Sequence, residues 1–154
     1  MKNIILFLLL ISFLQADDKT AKVVIDLTTS DVVKFEKNIL KGIEVHKTHY
    51  ANILKELEVA VVIHGGAYKF FLKNLTNSKY KEDKKLLKVY NDLKKRIATM
   101  SDTYEVEFLM CKAGMKKNQL QESNIVEFVK IIPTSTIGLI DKQNEGFAYL
   151  PVKD

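Results

Sequence analysis

The sequence predicts a single α/β domain built on a mostly parallel five-stranded sheet covered by helices on both faces. Three observations carry this. Short β-branched runs such as "KVVIDL" alternate with segments of helical periodicity. The alternation strand, helix, strand, helix persists to the end of the chain, as crossover connections between parallel strands require. The 154 residues suffice for one core and contain no repeat, low-complexity tract or linker.

The elements follow in order. "AKVVIDL" (21–27) reads as a buried strand, and "TTSD" after it offers helix caps. Val32, Phe35, Ile39, Ile43 and Tyr50 recur at near-helical spacing among Lys and Glu, predicting an amphipathic helix. Val59 to Ile63 forms the second strand, ending at His64 and the pair Gly65-Gly66, and "AYKFFLKNL" reads as a short helix. Leu86, Tyr90, Leu93, Ile97 and Met100 step by four and three, the clearest helical stripe in the chain. The Lys-rich stretch Lys79 to Arg96 is then that helix's solvated outer face. "YEVEFLM" is a third strand delivering Cys111, and "GMKKNQLQES" is a short helix. "FVKIIP" is a fourth strand closed by Pro133, Thr134-Ser135 cap the helix "TIGLIDKQN", and "EGFAYLP" supplies a turn and a last strand.

The first residues read as an address. Lys2 precedes an apolar run, Ile4 to Leu14, broken only by Ser12, and Ala16 comes just before Asp17-Asp18. That run is about half the ~20 residues a spanning helix needs. Residues 1–16 are therefore expected to be a cleaved signal peptide, leaving 17–154 as a periplasmic domain with no stable membrane insertion. The formal charge of +5 comes from 24 basic and 19 acidic residues spread along the chain, a solvated surface with nucleic acid not expected as a partner.

Parallel strands joined by right-handed crossovers put their C-terminal ends on one edge, where open α/β folds build sites. Thr28, Thr29 and Ser30, then His64, Gly65 and Gly66, then Cys111, then Thr134 and Ser135 should meet there. Cys111 is the one cysteine, so it has no internal disulfide partner. It precedes an expected helix start, with Lys112, Lys116 and Lys117 behind it. A thiol at its reference pKa is only about 3 % thiolate at pH 7, and a helix N-terminus with nearby ammonium groups raises that fraction. The readings of Cys111 are two: an activated nucleophile, or an inert small hydrophobe at the end of a core strand. His64 is either the partner of that thiol or a histidine bonded to a loop carbonyl. Gly65 and Gly66 allow backbone N–H groups to approach a bound anion, with Thr28, Ser30, Lys112 and Thr134 as further ligand-binding candidates. His46 and His49 lie one helical turn apart without a carboxylate or cysteine to complete a metal set, so no metal or other cofactor is expected. Walker-type, G-x-G-x-x-G and G-x-S-x-G motifs are missing from the sequence, which argues against nucleotide binding and the familiar hydrolases.

The ordered set "KVVIDLTTSD", "ILKGIEVHKTHYANILKELEVAVVIHGGAYKFFL", "YEVEFLMCKAGM" and "VKIIPTSTIGLIDKQNEGFAYL" resembles the DsrE/DsrF-like family across about residues 22–151. The resemblance implies a three-layer α/β/α sandwich, homo- or hetero-oligomers, and a persulfide-carrying cysteine at the position of Cys111. His64 matches a recurring family feature. Two functions follow as expectations: an exported carrier of sulfane sulfur with a sulfur donor or acceptor protein as partner, or a non-catalytic ligand-binding or assembly module of the same fold. A third use of Cys111 is an intermolecular disulfide.

Overall fold

A computed structural model describes residues 20–154; the expected signal peptide at 1–16 lies outside the described residues. The five strands are β1 (Thr20–Leu27), β2 (Glu56–Ile63), β3 (Glu107–Cys111), β4 (Val129–Ile132) and β5 (Ala148–Val152). Every pairing is parallel and the spatial order is β4-β3-β2-β1-β5. The chain steps in one direction from β1 to β4, then crosses back to lay β5 on the outer side of β1. The fold is α/β, as the alternation of periods predicts.

That winding divides the covering helices. One face of the sheet, with Ile25, Leu27, Val59, Val61, Ile63, Phe108 and Met110, packs under the first three connections in the main core. The first connection is a continuous helix in three parts: α1 (Val32–Phe35), a π-helical segment (Glu36–Lys41) and α2 (Gly42–Asn52). Gly42 N–H bonds the Lys37 carbonyl five residues back, the widened turn that sequence periodicity did not announce. Phe35, Ile39, Leu40 and Ile43 are buried on it. The second connection is a 3-10 turn (Ala67–Phe71) and α3 (Lys84–Asp102), which buries Leu86, Leu93, Ile97 and Met100. Phe70 stacks on Phe35 at 4.2 Å between centroids, and Phe71 meets Phe108 at 5.2 Å, contacts each contributing about 1 kcal/mol beyond burial. The expected helix "AYKFFLKNL" is only this 3-10 turn, because all five of its residues are buried and a polar face has nowhere to go.

The third connection differs in register from the expectation. α4 spans Lys112–Lys117, two residues ahead of the predicted start, because Cys111 itself serves as N-cap. A separate 3-10 turn, Glu122–Asn124, follows. The other face of the sheet has a smaller core of Val24, Ala60, Val62, Leu109 and Phe147 under α5 (Ser135–Asn144). Gly138 lets α5 lie close to the sheet, since a Cβ there would come within 2.4 Å of Ile132 Cδ1. Thr134 caps α5 by accepting the Ile137 N–H at 3.2 Å. Thr134→Ala is expected to cost about 1 kcal/mol, read as a lowered urea midpoint at unchanged m-value. Among the described residues, no helix is long and apolar enough to cross a membrane.

Candidate functional site

The C-terminal ends of the strands form one rim, and the predicted residues occupy it in two groups. The first is the junction of the β1 and β2 loops. Gly66 N–H donates to the Thr28 carbonyl at 2.9 Å, and His64 N–H donates to the Leu27 carbonyl at 3.1 Å. Gly65 sits at φ +62, the left-handed region open to glycine. A Cβ on Gly66 would stand 2.6 Å from Ser30 Cβ, so the two loops touch only because this residue has no side chain. Thr28 and Thr29 N–H groups both donate to the Val152 carbonyl, at 3.0 and 3.2 Å.

Ser30 is engaged by its own chain. Its N–H and Oγ donate to the Asp154 carboxylate at 3.1 and 3.0 Å, and Thr29 Oγ1 donates to the same group. These donors hold the Asp154 carboxyl down at about 2. A cavity of about 410 Å³ beside them is lined by Lys34, Lys69, Lys85, Asp31, Asp83 and Asp154 together with Ser30 and Val32. Neither Cys111 nor His64 lines it.

The second group surrounds Cys111. Its residue is 6 % exposed, so the sulfur lies at the rim but nearly closed over. Gly114 N–H donates to Sγ at 3.5 Å, the first turn of α4 turned toward the sulfur. The Tyr68 hydroxyl, fully buried, donates to the Cys111 carbonyl at 2.8 Å. Burial pushes the thiol pKa up. The donors gathered around the sulfur, first the N–H groups of Gly114 and Ser135, outweigh it and hold the thiol below its ordinary value. Ser135 opens α5, so two helix starts converge on one sulfur. Lys112 is exposed and paired with Glu122 at 2.8 Å.

His64 is close to Cys111 along the register: Ile63 pairs with Met110, Cys111 ends β3, and His64 is the first residue past β2. Their side chains are not joined by a hydrogen bond among the described residues. His64 Nε2 instead meets Asp26 Oδ1 at 2.5 Å. Asp26 is 4 % exposed, and its other oxygen accepts from Tyr149 Oη at 2.6 Å, with Lys153 Nζ at 3.5 Å. Burial would raise the Asp26 carboxyl, but the bonds from Tyr149 and His64 and the charge of Lys153 hold it below the usual range. Sequence reasoning missed this carboxylate, although a charged residue inside "VVIDL" is a legible sign of a buried, partnered group. It had no means of finding Tyr68, which looks like any core aromatic, or Tyr149 and Lys153. Among the described residues, no three His, Cys, Asp or Glu side chains are grouped to hold a metal.

A family model described as the DsrE/DsrF-like family matches residues 38–152. An uncharacterized protein of Aquifex aeolicus (strain VF5) is 27% identical over 153 residues, covering 98% of this chain. The chain spans 64% of that relative's length. Among solved structures, the protein of unknown function MTH1491 from Methanobacterium thermoautotrophicum is similar in fold, with a TM-score of 0.59 and 17% identity. The match covers 85% of this chain and 98% of that one.

Proposed function

The chain belongs to the DsrE/DsrF-like family, and from that premise we propose that Cys111 carries sulfane sulfur as a persulfide. The observation that supports this most directly is the setting of Sγ, which accepts a hydrogen bond from the Gly114 N–H at the start of α4, with Ser135 at the start of α5 a second donor. Backbone donors at a helix start favour an anion, thiolate or persulfide alike, over the neutral thiol.

In the proposed step the thiolate attacks the sulfane sulfur of a donor such as polysulfide or thiosulfate. A new S–S bond forms on Cys111 and the donor's S–S bond breaks, its electron pair leaving with the shortened polysulfide or sulfite. No outside oxidant or reductant is needed. An acceptor thiolate then takes the outer sulfur, and Cys111 departs as thiolate, a leaving group favoured by the donors that lower its pKa. His64 is the proposed acceptor of the thiol proton at the outset. A donor or acceptor protein, self-association of this chain and export directed by residues 1–16 are parts of the same proposal.

The near-burial of Cys111 favours a second reading, in which the fold serves as a non-catalytic binding or assembly module. Intact-mass measurement after exposure to polysulfide separates the two. The carrier gains one sulfur, about 32 Da, removable by reductant and absent in Cys111→Ser. An unmodified wild-type chain beside a reacting free-thiol control leaves the module.

A further inference from the structure

The proton acceptor in the carrier reading is His64, and the geometry points to Asp26 as the residue that positions it, with Tyr149 anchoring Asp26 in turn. This inference rests on the carrier reading for the role of Cys111 but on separate atoms for its own evidence.

Asp26 is the charged residue of the buried stretch of β1, between Ile25 and Leu27, and it lies on the α5 side of the sheet with Val24. A carboxylate so enclosed must be compensated. Its compensation is specific: one oxygen is used by His64 Nε2, the other by Tyr149 Oη and Lys153 Nζ. An ionised carboxylate only accepts hydrogen bonds, so the proton in the 2.5 Å contact belongs to His64 Nε2. The neutral ring then has its lone pair on Nδ1, the nitrogen Asp26 does not use. The β2–β3 register brings His64, just past the end of β2, beside Cys111 at the end of β3, so the two meet at the rim of the sheet even though Cys111 packs with the main core. His64 is about a quarter exposed, which leaves Nδ1 free to take a proton from the thiol: the S–H bond breaks, an Nδ1–H bond forms, and the imidazolium is stabilised by the carboxylate behind it. Tyr149 Oη, donated from β5, occupies the second oxygen and stops Asp26 from rotating away.

Asp26 touches neither thiol nor substrate, so its effect must pass through His64. A double-mutant cycle on Cys111 alkylation by iodoacetamide reads this without any sulfur donor. Asp26→Asn and His64→Gln should each slow alkylation at pH 7 by about tenfold or more, in the range that loss of an orienting partner causes elsewhere. The double variant should be no slower than His64→Gln alone. Nitrogen-15 NMR of the wild-type imidazole should find His64 protonated at Nε2 and bare at Nδ1 in its neutral form. A folded Asp26→Asn variant that alkylates at the wild-type rate overturns the assignment. So does a double variant in which the two losses multiply, since a purely structural Asp26 would act regardless of His64. The wild-type NMR measurement decides even if Asp26→Asn fails to fold, because a bare Nε2 is incompatible with the proposal. A chain that obeys this cycle yet takes no sulfur from polysulfide loses the carrier reading and keeps the Asp26–His64 pair.

Discussion

Gly114→Ala is expected to destabilise the protein by about 3 kcal/mol and to slow Cys111 alkylation in the same molecule. A Cβ at this position would stand 2.0 Å from the Tyr68 hydroxyl and 2.9 Å from its Cζ. Tyr68 is fully buried and its hydroxyl is bonded to the Cys111 carbonyl, so it cannot swing into solvent. Forcing it aside costs about 1–3 kcal/mol of strain and adds an unsatisfied carbonyl worth about 1–3 kcal/mol more. The helix propensity gained by alanine returns less than about 1 kcal/mol, so the sign is not in doubt. Shifting α4 also moves the N–H that faces Sγ, and the thiol should drift back toward its ordinary pKa. Urea denaturation and the pH midpoint of alkylation measure the two effects. Tyr68→Phe added to Gly114→Ala should recover part of the stability by removing the nearest atom. A Gly114→Ala chain as stable and as reactive as wild type would mean that α4 does not hold the sulfur as described.

Asp83→Ala is expected to cost about 3 kcal/mol. Lys69 is a charged side chain in the buried 3-10 turn, about 10 % exposed, and Asp83 Oδ2 lies 2.6 Å from its ammonium. Removing the carboxylate leaves a buried charge without a partner, which ordinarily costs about 3–5 kcal/mol. The quarter exposure of Asp83 argues for the low end, since water can reach part of the gap. Asp83 is also the N-cap of α3, accepting the Leu86 N–H at 3.0 Å, and a lost cap adds about 1 kcal/mol. Lys69→Met should cost far less than Asp83→Ala, because it removes the charge along with its need for a partner. The pH dependence has a definite sign. Burial raises the Asp83 carboxyl, but the bonds from Lys69 and from the Leu86 and Lys85 N–H groups pull it below the usual range. A depressed folded-state pKa contributes stability that is complete above the ordinary carboxylate range and drains away as pH falls below it. Thermal melts at descending pH should therefore fall less steeply in Asp83→Ala than in wild type.

The sheet was legible in the sequence because hydrophobic period and β-branching report directly on burial: all five strands and the α3 stripe lie where the pattern put them. Cys111 and His64 were brought to one rim by topology alone, since parallel crossovers leave no other place for strand ends. What escaped was set by contacts between distant segments. No local pattern says that Ser30 will be held by Asp154, or that Ser135, at the start of a helix beyond β4, will face the sulfur. The early start of α4 escaped for a related reason: a cysteine is not a usual N-cap, and only the fold turns its sulfur toward the Gly114 N–H.

The position of β5 beside β1 has a consequence for how the molecule matures. Tyr149 reaches Asp26 across 123 positions of chain, whereas the β1–β2 pairing that carries His64 forms over a far shorter loop. Long-range pairing of this kind comes late, because the closure entropy is lost before any contact offsets it. A partly folded chain lacking its last strand would thus carry a buried aspartate with one hand empty, and the imidazole would be steadied only when the docking of β5 brings Tyr149 home.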